Sequence, residues 1–90
     1  MKHLPTAVTP YKRTPTYTET SVPAGLLNEH STKVGTWGLI CVLSGSLRYE
    51  ITSTGECYVL STSVPGIIEP TVQHRVQAMG EVQFYVEFYR

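Results

Sequence analysis

Residues 72–89, Val-Gln-His-Arg-Val-Gln-Ala-Met-Gly-Glu-Val-Gln-Phe-Tyr-Val-Glu-Phe-Tyr, decide the fold class. Val72, His74, Val76 and Ala78 share one face, and Gln73, Arg75 and Gln77 share the other. Met79-Gly80-Glu81 reads as a turn. Beyond it, Val82, Phe84, Val86 and Phe88 make an unbroken apolar face, with Gln83, Tyr85, Glu87 and Tyr89 opposite. A repeat of two is the period of a β-strand, whose successive side chains point to opposite faces.

The same reading extends upstream. Leu47, Tyr49 and Ile51 alternate with Arg48, Glu50 and Thr52, as in a half-buried strand. Thr36–Leu43 is apolar on both faces, with Trp37, Leu39, Cys41 and Leu43 on one and Ile40 and Val42 on the other. Such a strand is expected to be covered on both sides, by the core and by a second sheet or subunit. Ser44-Gly45-Ser46, Thr54-Gly55-Glu56 and Val64-Pro65-Gly66 read as turns, with a short strand at Cys57–Leu60. No window carries a helical period. Short strands separated by turns every eight to twelve residues indicate an all-β sandwich or closed barrel, and closure removes exposed edges.

Residues 1–24 differ from the rest. Four of the six prolines (Pro5, Pro10, Pro15, Pro23) fall there among threonines, which forbids a helix and suits an extended arm. Tyr11 and Tyr17 give that arm something to pack with, against its own domain or a second subunit. The chain reads as one domain over 1–90.

Composition narrows the partners. Seven basic and seven acidic side chains cancel, leaving no basic excess for nucleic acid or an anionic membrane. Near-zero charge also removes the repulsion that keeps copies apart, so a homodimer is expected. No run approaches the roughly 20 apolar residues of a membrane helix, and Met1–Pro10 lacks the apolar centre of a secretory signal. Cys41 and Cys57 have no metal-type spacing and read as small buried hydrophobes in a reduced, cytoplasmic protein.

Chemistry concentrates on histidine. His74, between Val72 and Val76 on an inward face, must find a hydrogen-bond partner or a metal. The competing reading is a core histidine bonded to a backbone carbonyl. His30 reads as sharing a strand face with Leu26 and Asn28. Two inward imidazoles could hold a divalent transition metal (zinc, iron or nickel), with a third ligand still to be supplied. Glu87 faces away from Val86 and Phe88, and Glu69 stands at a strand entrance as a solvated charge. His30, His74 and Tyr49 form the candidate ligand-binding set, and His30 and His74 the candidate metal ligands. No GxSxG, HExxH, CxxC or phosphate-cradling loop is present, so no catalytic residue is named.

Two segments carry a family resemblance. His30-Ser-Thr-Lys-Val-Gly-Thr-Trp-Gly38, continuing to Val42-Leu-Ser-Gly45-Ser-Leu47, is one; Glu69-Pro-Thr-Val-Gln-His74-Arg-Val-Gln-Ala78, with the terminal Phe88-Tyr89, is the other. Both resemble the small cupin-like domain of unknown function found in tellurite-resistance proteins, which in some bacteria precedes a methyltransferase domain and in others stands alone. Tyr11-Lys12 and Pro15 fit that family's N-terminal arm. The resemblance implies a cupin-type double-stranded β-helix, or jelly-roll, barrel. It aligns Val42–Leu47 with the glycine turn closing the first cupin motif and His74 with the single histidine of the second. Where metal-binding cupins carry two histidines and a glutamate ahead of that turn, this chain has Thr32, Val34 and Gly38, with His30 slightly upstream and Asn28 where relatives can carry a glutamate. The implied function is a small-molecule or metal-binding module of tellurite resistance or stress response. The alternatives are a metal-dependent cupin enzyme using His30 and His74, or a purely structural, dimerising domain. A methyltransferase role is not expected of so short a chain.

Overall fold

The computed structural model describes all 90 residues. Two long strands dominate it: β3 (Trp37–Ile51) and β6 (His74–Tyr89), antiparallel along almost their whole length. Both continue through segments whose glycines suggest turns. Gly45 (φ 75°) and Gly80 (φ 96°) are left-handed, but neither Ser44-Gly45-Ser46 nor Met79-Gly80-Glu81 reverses the chain. The register of the pair shifts between Val42 and Ser44 and again between Gly45 and Leu47, so these glycines serve β-bulges. Any Cβ on Gly45 would collide with the Glu81 carbonyl oxygen across the ladder.

The bulges change which residues face inward. On β3, the even-numbered Ile40 and Val42 are buried before them, and the odd-numbered Leu47 and Tyr49 after them. On β6 the inward set stays even-numbered: His74, Val76, Val82, Phe84 and Val86 are all buried. Together with Leu60 and Ile68 the apolar members form one core.

The remaining strands flank this pair. On one edge of β3, β4 (Glu56–Leu60) pairs with Leu47–Ile51 and β5 (Gly66–Ile68) with Gly38–Ile40. On the far edge of β6, β1 (Pro10–Arg13) and β2 (Tyr17–Thr18) pair with residues 83–89. The result is an all-β antiparallel sheet of order β1-β6-β3-β4, with β2 and β5 added at the side and no pairing between its outer strands. No helix is long and apolar enough to cross a membrane.

Three further local expectations are corrected. Ala24–Leu27 forms one helical turn, α1, entered through Pro23 and closed by the Asn28 amide donating to the Ala24 carbonyl. Leu26, Asn28 and His30 therefore share no strand face. A single turn is too short to leave a periodic pattern in sequence. Cys57 is exposed, with the Arg48 guanidinium 3.3 Å from its sulfur, while Cys41 is half-buried; both are free thiols. The outer face of β3 is only partly covered: Trp37, Leu39 and Cys41 are half-buried and Leu43 is exposed.

Candidate functional site

His74 opens β6, and directly opposite it lies His30, joined by a two-way backbone bridge: His30 N–H to His74 O (3.0 Å) and His74 N–H to His30 O (2.9 Å). The bridge brings the two rings to 4.1 Å between centroids, at 64°. Each ring is oriented by a carbonyl two residues earlier. His30 Nδ1 lies 2.8 Å from Asn28 O, and His74 Nδ1 lies 2.9 Å from Val72 O. A carbonyl can only accept, so Nδ1 carries the proton in both rings. Nε2 of neutral His74 is then a lone-pair acceptor. It is buried and has no hydrogen-bond partner, in a residue 1% exposed. Burial pushes the His74 pKa down to about 4, against the helping Val72 carbonyl and with a contribution from His30. At neutral pH this ring is uncharged.

The two histidines line a cleft of about 390 Å³. Leu26, Ile68, Val86 and Phe88 make its apolar wall. The loop Ser31–Thr36 borders it, held by the Thr32 hydroxyl on the Thr36 carbonyl (2.7 Å), the Thr36 amide on the Lys33 carbonyl (3.0 Å) and the Thr71 amide on the Thr32 carbonyl (3.1 Å). Lys33 from this loop and Lys12 from β1 both line the cleft and are exposed. No carboxylate does.

These residues do not fit a metal centre. Two imidazoles converge, but no group of three or more His, Cys, Asp or Glu side chains that could hold a metal ion forms anywhere in the chain. A catalytic site of this kind takes three protein ligands, and two lysines beside the histidines oppose a cation. Glu69, a conceivable third ligand, instead pairs with Lys2 at 3.5 Å. Glu87 sits on the outer face of β6 in an ion pair with Arg13 (2.9 Å), and accepts from the Tyr89 hydroxyl (2.9 Å).

Tyr49 stands between this cleft and a second cavity. Its ring meets His74 edge-on at 5.7 Å, and its hydroxyl donates to the Ile67 carbonyl (2.9 Å). Burial raises its pKa far above the ordinary phenol value. The side chain lines not the histidine cleft but the second cavity of about 430 Å³, with Tyr58, Glu56 and Glu69. Met1 and Lys2 lie over that cavity: the terminal ammonium donates to the Tyr58 hydroxyl (3.2 Å).

The TehB-like domain family matches residues 12–86, a span that takes in every residue of the histidine cleft except Tyr11 and Phe88. The chain belongs to the TehB-like domain family. A relative from Haemophilus influenzae strain Rd, a probable S-adenosyl-L-methionine-dependent methyltransferase TehB, is 36% identical over 77 residues, covering 79% of this chain and 27% of the relative. The counterpart in strain 10810 is 35% identical over the same share. The chain thus spans about a quarter of the length of these curated relatives. The crystal structure of Haemophilus influenzae TehB superposes with a TM-score of 0.82 at 33% identity, over 91% of this chain and 31% of that one. A protein from Escherichia coli K12 superposes over 100% of this chain and 97% of its own, with a TM-score of 0.91 at 19% identity, a likeness of fold alone.

In this TehB-like domain, strand alternation points to His74 directly, whereas His30 lies in a loop with one isolated bridge and not on the strand face that its spacing from Leu26 and Asn28 suggests. Lys12, Ser31, Lys33 and Thr36 were missed. Nothing in a chain of zero net charge flags two lysines twenty-one positions apart as neighbours. Only the pairing of β1 with the end of β6 brings Lys12 to the cleft.

Proposed function

We propose that this TehB-like domain is a cupin-like binding module of tellurite resistance or stress response, whose site is the cleft between His30 and His74. One observation carries the reading: the buried, unpartnered Nε2 of His74 beside a cleft of ligand size. A buried polar atom without a partner costs on the order of 1–3 kcal/mol, which a bound ligand would recover. The all-antiparallel sheet and its bulged long strands are compatible with a cupin-type barrel. The incomplete ligand set weighs against a metal-dependent enzyme. The methyltransferase activity named for the longer relatives is theirs.

The test is a bacterial strain made dependent on this chain for growth on tellurite. His74→Phe keeps an aromatic ring at the position and removes both ring nitrogens, Nε2 and the Nδ1 that meets the Val72 carbonyl. The variant should fold and lose the resistance; full resistance from folded His74→Phe protein would overturn the reading. The partly covered outer face around Trp37, Leu39 and Leu43, with zero net charge, supports a homodimer through that face. A monomer in light scattering at high concentration would remove that part.

A further inference from the structure

The charge and hydrogen-bond character of the cleft select a ligand class. We infer that it takes a small organic anion that also carries a hydroxyl or N–H donor, and not a metal ion. The inference rests on the cleft being a binding site and adds the chemistry of its occupant.

The anion follows from unbalanced charge. Lys12 and Lys33 line the cleft and belong to none of the three ion pairs, which are Lys2–Glu69, Arg13–Glu87 and Arg75–Glu50. Glu29, next to His30 in the chain, is not among the lining residues. In a protein of zero net charge, this is a local positive site, and such a field draws anions and repels cations.

The donor follows from His74. With Nδ1 committed to the Val72 carbonyl, the neutral ring offers only the lone pair of Nε2. A fully ionised carboxylate brings no hydrogen to that atom. Nε2 itself is buried, so a ligand in the cleft satisfies it only by displacing the packed side chains beside it, such as the His30 ring at 4.1 Å. That ligand must then bring a hydroxyl or an N–H. The organic part follows from Leu26, Ile68, Val86 and Phe88, which a bare inorganic oxyanion would leave uncovered. Exposed lysines and a buried His74 set the orientation: acid group at the rim, donor at the floor.

Mandelate and phenylacetate differ only in a hydroxyl and make the discriminating pair, with phosphate and zinc as further probes. Full-length protein labelled at histidine ¹⁵N is titrated with each, following the His74 Nε2 resonance. Mandelate should move that resonance and bind at least about fivefold tighter than phenylacetate, the weight of about one net hydrogen bond. Lys12→Gln/Lys33→Gln should weaken both acids alike, and His74→Phe should erase the preference for mandelate. Equal binding of the two acids, or tighter binding of phosphate than of mandelate, overturns the inference. If zinc moves the resonance and neither acid does, the ligand class is wrong while the cleft remains a site. If no probe moves it, the binding-site reading falls as well.

Discussion

The two cavities on either side of Tyr49 are nearly equal in size and opposite in character. The histidine cleft carries two lysines without ion-pair partners and no carboxylate. The second cavity carries Glu56 and Glu69, and the chain answers both charges itself. Lys2 pairs with Glu69, while Glu56 accepts from the Tyr58 hydroxyl (2.5 Å) and the Thr54 hydroxyl (2.9 Å), which hold its pKa below the ordinary value. Met1 adds a sulfur contact, accepting from the Ile67 amide at 3.1 Å. One cavity is satisfied from within; the other leaves a buried acceptor and two cations unanswered. Size alone would not separate them. The unsatisfied groups do.

The wall between them gives the largest expected effect. Tyr49 is 1% exposed, lines the second cavity and packs edge-on against His74 of the cleft. Tyr49→Ala should cost about 3–5 kcal/mol in urea unfolding, the range for emptying a buried aromatic site, and should extend the second cavity towards His74. The next effect belongs to the histidine cleft alone. Folded His74 stays neutral down to about pH 4, whereas an unperturbed imidazole takes up a proton near 6.5. Between those values the unfolded chain binds more protons, so stability is full above about pH 6.5 and falls as pH drops towards 4. The loss should be on the order of 3 kcal/mol, from the conversion of about 1.4 kcal/mol per unit. Urea midpoints across this range should show the slope in the native protein and its absence in His74→Phe. An equal slope in both would locate the acid sensitivity elsewhere.

How much of this was legible depends on how local each signal is. Alternation over 72–78 and 82–88 put His74, Val76, Phe84 and Val86 on the inner face, where they are, because strand parity is a property of neighbouring residues. Gly45 and Gly80 could not be read correctly from neighbours. A turn and a bulge both call on glycine at positive φ, and only the partner strand decides whether the chain reverses or kinks. The family resemblance supplied His74 as a motif position but left His30 without a placement. The loop from Asn28 to Thr36 has no period to read, and His30 reaches His74 through a single bridge across 44 residues of chain. The charge contrast between the cavities lay further still from sequence, because each cavity collects side chains from segments far apart in the chain.

Two smaller effects sharpen the contrast. Tyr49→Phe keeps the wall and removes only the hydroxyl bonded to the Ile67 carbonyl. It should cost roughly 1–2 kcal/mol, one buried hydrogen bond with its acceptor left behind, and leave the His74 pH slope in place. A slope changed by this substitution would mean that the two cavities are electrostatically coupled through the phenol.

The smallest effect tests whether the second cavity is in fact satisfied from within. Lys2 is 77% exposed at its side chain and Glu69 29%, so their 3.5 Å pair is screened by water and salt. Lys2→Ala should therefore lower stability by no more than about 1 kcal/mol, and the difference should shrink in high salt. Lys12→Gln/Lys33→Gln should behave differently. Those lysines answer no carboxylate, so removing them should leave unfolding within about 0.5 kcal/mol of the native protein, the usual span for surface substitutions. The same salt titration should leave their effect unmoved. A stability loss from the double variant as large as that from Lys2→Ala would give Lys12 and Lys33 structural partners. The charge asymmetry between the cavities would then belong to the fold and not to a ligand.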